Sequence, residues 1–454
     1  MKKRNKADRR GHVFYCFLGL VLFIAFAGGL CPSCRAAKEE AGVPPVPAGR
    51  AVKLGVEVFL EGRLDLIKGK KVGLITNPSG VDSRLRSVID LFRAAERIEL
   101  VALYGPEHGV RGNAQAGEYV PFYFDEKFGL PVFSLYGQSY KPAPGMMKNI
   151  DEYMRSFDTT GAGKIPEGAM IRDVDALVFD IQDVGTRVYT YIATMAYAMQ
   201  AAAERGIDFI VLDRPNPING AVIEGPVLEY PEFSSFVGLF PLPERHGMTV
   251  GELARMFNDK FLEKRANLTV IPMEGWRREA WLDETGLPWV IPSPNMPTLD
   301  TATVYPGQVL IEGTNVSEGR GTTRPFELFG APWIDGYALA GRLNALGSQG
   351  VRFREAWFTP YFSKFAGEMC GGAQVHVTDR NLYRPFETAL HIIKVIREMY
   401  PEKFEFHPEY FDKVAGTAEI RGALERGAEV DEIVKSYGAG LKAFAEVRRP
   451  YLLY

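Results

Sequence analysis

Cysteine is scarce in this chain, with four in 454 residues. Three of them, Cys16, Cys31 and Cys34, fall near the N-terminus, which leaves Cys370 alone in the body. A body with one thiol has no structural disulfide framework. Cys370 has no histidine nearer in sequence than His376 and reads as a small buried hydrophobe rather than a nucleophile. An excess of positive charge is also lacking. The 53 Lys and Arg are outnumbered by 56 Asp and Glu, which argues against a nucleic-acid partner, since phosphates call for a basic surface. Several short motifs are missing too. No Gly-x-Gly-x-x-Gly follows the first strand and no Walker loop is present. No Gly-x-Ser-x-Gly elbow exists. The body has no His-x-x-x-His or Cys-x-x-Cys pair to suggest zinc. Dinucleotide binding, nucleotide hydrolysis of that type and elbow-type serine hydrolysis are therefore disfavoured.

What is present begins with a basic start: Lys2, Lys3, Arg4, Lys6, Arg9 and Arg10. An uncharged apolar run from Val13 to Leu30 follows. That layout predicts a signal peptide or lipoprotein signal over residues 1–37, with an uncleaved membrane anchor as the alternative. Residues 38–51 are rich in Ala, Gly, Pro and Glu and read as a tether. The expected location is exported, periplasmic or at the cell surface, with membrane attachment or lipidation through the N-terminus left open.

The body then alternates apolar strand runs with helical stretches. Strands are expected at Lys71–Thr76, Ile98–Tyr104, Pro131–Tyr136, Asp175–Asp180 and Phe209–Asp213. This predicts an α/β parallel sheet with helices on both faces over residues 52–300. A smaller α/β or α+β domain is expected over residues 301–454. The segment from Tyr119 to Gly168 breaks the alternation and reads as an excursion over the cleft.

In open α/β sheets, ligands bind beyond the carboxyl ends of the strands. Five polar clusters in this chain follow or separate apolar runs. They are Asn77; Glu107, His108 and Arg111; Asp180, Gln182, Asp183 and Arg187; Asp213, Arg214 and Asn216; and a loop with Asn315, Ser317, Glu318, Arg320, Thr322, Thr323 and Arg324. Four of these lie at ends of one sheet and are expected to converge. Each cluster taken alone fits helix caps and ion pairs as well as it fits a site.

Several longer stretches carry a resemblance. They are Gly105-Pro-Glu-His-Gly-Val-Arg-Gly112, Asp180-Ile-Gln-Asp-Val-Gly-Thr-Arg-Val-Tyr-Thr-Tyr-Ile192, Leu212-Asp-Arg-Pro-Asn-Pro-Ile218, Ser293-Pro-Asn-Met-Pro297 and Glu312-Gly-Thr-Asn-Val-Ser-Glu-Gly-Arg-Gly-Thr-Thr-Arg-Pro-Phe326. Together they resemble the DUF1343 family, which includes the exo-β-N-acetylmuramidases called NamZ, glycoside hydrolase family 171. The likeness runs from about Val52 to Tyr454. It implies a Rossmann-like N-terminal domain, a smaller C-terminal domain and an active-site cleft between them. It also implies release of β-1,4-linked N-acetylmuramic acid from non-reducing ends of peptidoglycan fragments, without a cofactor.

The residue types fit such chemistry. Glycoside hydrolysis usually needs two carboxyl groups. Glu107 is the first candidate for the acid, and Glu318 or Asp183 for its partner, with His108 tuning Glu107 or binding sugar. Arg111, Arg187, Arg320 and Arg324 are candidates for the lactyl carboxylate, because guanidinium binds carboxylate bidentately. Asn77, Asp180, Asp213, Arg214, Asn216, Asn315 and Thr322 complete the expected substrate-binding set. Two other readings remain open on these residues: a non-catalytic peptidoglycan-binding protein, and a metal-dependent amidase or esterase using His108 and the aspartates.

Overall fold

A computed structural model describes residues 52–118, 120–121, 123–136 and 174–454. The basic start, apolar run and tether lie outside the described residues, as do residues 137–168 of the expected excursion. Twelve strands are numbered here in chain order: β1 Lys71–Thr76, β2 Glu99–Gly105, β3 Tyr123–Asp125, β4 Leu130–Ser134, β5 Ala176–Asp180, β6 Asp208–Leu212, β7 Glu224–Val227, β8 Pro243–Arg245, β9 Asn267–Ile271, β10 Leu328–Ala331, β11 Val351–Phe358 and β12 Cys370–Val377.

Seven of them form one sheet in the order β3–β4–β2–β1–β5–β6–β9. Every pairing is parallel except β3 with β4 at the edge. The apolar runs Val-Gly-Leu-Ile and Ala-Leu-Val-Phe put β1 and β5 at its centre, where nearly every residue is buried. Strands covered on both faces read as unbroken apolar runs, which is why the sequence showed them.

One face is covered by the helices Gly55–Gly62 and Val88–Ala94, whose Phe59 and Phe92 join Leu74, Val178 and Leu212 in one core. The other face is covered by the helices Tyr191–Arg205 and Val250–Lys260. The first of these is alanine-rich, so it can lie close to the strands, and it stops at Gly206 in the left-handed conformation. The second opens on a capping box between Thr249 and Glu252.

The C-terminal domain holds a three-stranded antiparallel sheet, β10–β12–β11, with the helices Gly336–Ala345 and Pro385–Met399. Its Phe329, Leu390 and Ile393 share a core with Phe179 and Phe209 of the large sheet. Cys370 is buried at the start of β12, and burial pushes its thiol up to about 11.

Two local features carry little signal in the sequence. The stretch after Pro292 contains the helix Leu299–Gln308, capped by the Thr298 side chain. Pro306 and Gly307 disguised it, but Gly307 is where the helix meets the backbone of Pro385. A Cβ there would lie 1.8 Å from the Pro385 carbonyl. Near the C-terminus two short helices, Val430–Ser436 and Gly438–Arg448, are separated at Tyr437.

Candidate active site

Strand β2 delivers the loop that carries Glu107 and His108. Two successive turns shape it, with Gly109 N–H donating to Pro106 at 2.9 Å and Gly112 N–H to Gly109 at 3.1 Å. Gly112 has φ +67, and a Cβ there would meet the Pro78 ring at 2.6 Å, so the loop needs glycine at that point. His108 itself sits in the left-handed region at φ +72, uncommon for a residue with a side chain.

Both side chains are nearly buried, with Glu107 8 % and His108 7 % exposed. The Glu107 carboxylate accepts from the Gly117 N–H at 3.1 Å and from the Thr190 hydroxyl at 2.8 Å. The His108 Nδ1–H donates to the Ala114 carbonyl at 2.8 Å, the proton being assigned by that contact. Burial holds the imidazole below its ordinary pKa, against the pull of Glu107, so His108 is neutral at pH 7.

These two residues face a cavity between the sheet domain and the C-terminal domain. On the sheet side, Tyr189 and Tyr191 open the helix Tyr191–Arg205 and reach the Ser293 loop. Tyr189 donates to Ser293 Oγ at 2.9 Å and Tyr191 to the Pro292 carbonyl at 2.6 Å. On the C-terminal side, a 3₁₀ turn at Val309–Gly313 presents Glu312. Glu312 Oε1 accepts from Arg320 Nε at 2.8 Å and Nη2 at 2.6 Å, and Oε2 accepts from the Tyr410 hydroxyl at 2.8 Å. The charge of Glu312, aided by burial, holds the Tyr410 phenol well above the usual tyrosine range. Burial works against the charge on Arg320, but Glu312 and Glu318 outweigh it and keep the guanidinium firmly protonated.

A larger cavity, about 390 Å³ against about 110 Å³, lies between β7 and the helices that follow Thr417. It holds no histidine, and its three carboxylates, Glu229, Glu419 and Glu432, are exposed to solvent, whereas Glu107 and His108 are nearly buried, so the smaller one is the chemical candidate. Among the described residues, no group of three His, Cys, Asp or Glu side chains is placed to hold a metal ion.

Of the residues singled out from sequence, only Glu107, His108 and Arg320 line the cavity. The others have partners elsewhere. Asn77 donates to the Pro292 carbonyl at 3.0 Å and accepts from Ser79, pinning the end of β1. Arg111 pairs with Asp125 and lies over the Phe128 ring. Asp180 holds Arg214 through bonds of 2.6 and 2.9 Å. Asp183 accepts from the Gly185 N–H at 2.7 Å and contacts His246 Nε2 at 3.2 Å. Arg187 is fully buried, donates to the carbonyls of Pro226, Leu242 and Val414, and pairs with Glu244 at 2.6 Å.

Asp213 accepts from the Gly251 N–H, the Thr249 hydroxyl and the Tyr454 hydroxyl. Asn216 donates to Met248 at 3.0 Å. Asn315 donates to Lys403 at 2.7 Å and accepts from the Glu405 N–H. Thr322 donates to Gly319 at 2.6 Å, and Arg324 pairs with Glu327 at 3.1 Å. Glu318 is 2 % exposed and lies between Arg320 at 3.6 Å and Lys364 at 3.1 Å, behind the cavity wall. The convergence expected of four strand ends is thus, for the most part, a set of buried struts.

Sequence reasoning did not single out Glu312, Tyr410, Thr190, Asn295 or Tyr305, all of which line the cavity. Glu312, Thr190 and Asn295 stood inside the quoted motifs. Tyr410 had no local signal. It arrives on the helix Pro408–Ala415, which is held to the Glu312 turn by the His407 N–H donating to Gly313 at 2.7 Å.

Comparison with known proteins agrees with this architecture. A family model described as "Exo-beta-N-acetylmuramidase NamZ, N-terminal" matches residues 72–162 and 153–300, and its C-terminal counterpart matches residues 303–454. The peptidoglycan beta-N-acetylmuramidase NamZ of Bacillus subtilis (strain 168) is 52% identical over 404 residues, 89% of this chain and 91% of that protein. Two crystal structures of DUF1343 family proteins from Bacteroides fragilis NCTC 9343 are similar. One has a TM-score of 0.77 at 38% identity, the other 0.68 at 29%; each covers 89% of this chain, and 100% and 99% of their own chains respectively are matched. The chain belongs to the exo-β-N-acetylmuramidase NamZ family.

Proposed function

We propose that this protein is an exo-acting glycosidase that releases β-1,4-linked N-acetylmuramic acid from the non-reducing ends of peptidoglycan fragments. The observation that carries the reading is Glu107. It faces a cavity between two domains, in a chain 52% identical to a peptidoglycan beta-N-acetylmuramidase. In this reading Glu107, when protonated, donates to the glycosidic oxygen as the bond to the anomeric carbon breaks. Thr190 and the Gly117 amide hold its carboxyl group in place. The neutral His108 beside it adds no positive charge, leaving Arg320 as the cation of the cavity. Of the four arginines considered for the lactyl carboxylate, Arg320 alone lines it, which supports assigning it that role.

The test is release of the free sugar from a chromogenic β-N-acetylmuraminide, followed by the same assay on Glu107→Gln. General acid help is worth ~10²–10⁴-fold. The variant should lose a factor of that size on a muramyl disaccharide and much less on an aryl muraminide, whose phenol leaves unassisted. A folded Glu107→Gln protein with near-normal turnover of the disaccharide removes Glu107 from the role.

Residues 1–37 are read as an export signal, on the strength of six basic residues followed by an uncharged apolar run. That would bring the enzyme to its polymer. The mature chain is expected to begin between Gly28 and Lys38. N-terminal sequencing that found Met1 intact in soluble cytoplasmic protein would end this reading, and Met1 intact in the membrane fraction would favour an anchor.

A further inference from the structure

Two carboxyl groups are expected at a glycosidase centre, and the candidates for the second one can be sorted by what surrounds them. Asp183 is buried and engaged with the Gly185 amide and His246. Glu318 is buried behind Arg320 and Lys364. Neither lines the cavity. Among the described residues, Glu107 and Glu312 are the two acidic side chains that do.

Glu312 is also held firmly in place. Lys364 Nζ donates to the carbonyls of Ile311, Glu312 and Val316, at 3.0, 3.1 and 3.0 Å, and so ties down the turn that carries it. Its two oxygens accept from different donors, Arg320 on Oε1 and the Tyr410 phenol on Oε2. Both oxygens are thus fixed in direction, one by a guanidinium and one by a phenol. The other ionisable groups facing it are Tyr305 and, beyond Arg320, Glu318, whose charge is offset by Lys364. Glu107 differs in that, among the described residues, no cationic side chain is bonded to it; its donors there are an amide and a hydroxyl.

We infer that Glu312 is the second catalytic carboxylate of this site, an ionised group that stabilises the positive charge developing at the anomeric carbon. Tyr410 and Arg320 are its positioning residues. The inference rests on the glycosidase reading above and gives the two carboxylates opposite duties. Glu107 supplies a proton to the leaving oxygen. Glu312 supplies negative charge to the sugar ring, whatever the leaving group.

The two duties separate by leaving group. Glu312→Gln should lower kcat/KM by ~10²–10³-fold, the usual size of a lost electrostatic stabiliser. The loss should be alike for a muramyl disaccharide and for an aryl muraminide, whereas Glu107→Gln should spare the aryl substrate. Full activity of Glu312→Gln on both substrates would overturn the inference. So would a loss confined to the disaccharide, which would make Glu312 the acid.

Should Glu312→Gln fail to fold, Tyr410→Phe supplies the second test. It removes one hydrogen bond from the carboxylate and leaves the charge. kcat should fall alike on the disaccharide and on the aryl muraminide, with KM little changed. A fall confined to the disaccharide, or one carried by KM alone, would overturn the inference even if overall activity fell. Normal behaviour of Glu107→Gln beside a damaged Glu312→Gln would count against Glu107 alone. Absence of muraminide turnover by the unaltered protein would remove the glycosidase reading and this assignment with it.

Discussion

At the ends of β5 and β6 the chain sets carboxylates against cations and amides until little is left over. Asp180 is filled by Arg214, and Asp213 by the Gly251 amide and two hydroxyls. At the end of β2 it sets Glu107 against one amide and one hydroxyl, with a cavity alongside. The residue types are the same and so is the position relative to the sheet. What separates a strut from a reactive group here is how completely its neighbours satisfy it and whether space for a ligand adjoins it.

That contrast can be broken most forcefully at Arg187. Arg187→Met leaves Glu244 buried without its cation, and breaking such a pair by removing one member costs ~3–5 kcal/mol. Glu107→Gln should cost less than ~1 kcal/mol of stability while damaging turnover. Urea unfolding of both variants checks this, and equal losses would erase the distinction between strut and site.

A smaller effect is expected at Asp213, whose carboxyl group burial pushes up from 3.8 to about 6 despite its hydrogen bonds. Between those values the folded chain keeps a proton that the unfolded chain has lost. The stabilising contribution is therefore fully present below pH 3.8 and is lost as pH rises through about 6, by an amount on the order of 3 kcal/mol. Asp180, Glu224 and Glu244 are pushed up by burial too and act in the same sense, so the check is differential. Over this window Asp213→Asn should lose less stability with rising pH than the unaltered protein, and parallel curves would refute the assignment.

Arg320 sharpens the comparison from the ligand's side. Arg320→Ala should weaken binding of N-acetylmuramic acid ~10-fold more than that of N-acetylglucosamine, about the worth of one hydrogen bond to a charged group. Equal weakening, measured by calorimetry, would leave Arg320 only the task of holding Glu312. The smallest effect is expected at Tyr189. Tyr189→Phe removes a hydrogen bond of 2.9 Å to Ser293 and should cost ~1 kcal/mol, seen as a slight fall in melting temperature.

The strands of the large sheet were legible because buried parallel strands are written as continuous apolar runs, and β1 begins and ends where its run does. The loop at Glu107 was legible because glycines, a proline and charges crowd directly after such a run. The C-terminal wall was much less so. Glu312 belongs to a 3₁₀ turn rather than a strand end, and the rule that ligands gather beyond parallel strands does not reach it. Tyr410 joins Glu312 across 98 residues of sequence through helix packing alone. Asp180, Arg187 and Asp213 were overread for the converse reason. Their sequence context is that of a site, and only the three-dimensional partners reveal that they are already satisfied.

The Arg187 guanidinium has one more consequence. It binds the Pro226 and Leu242 carbonyls on one side and the Val414 carbonyl on the other, and Val414 lies on the helix that carries Tyr410. Two residues after Arg187 the chain enters the cavity wall at Tyr189. A single planar group outside the cavity thus acts as a gauge block between its two walls. It ties the segment that enters one wall to the helix that forms the other. Loss of that group would release the helix of Tyr410 from the segment that leads to Tyr189, a defect of alignment rather than of chemistry.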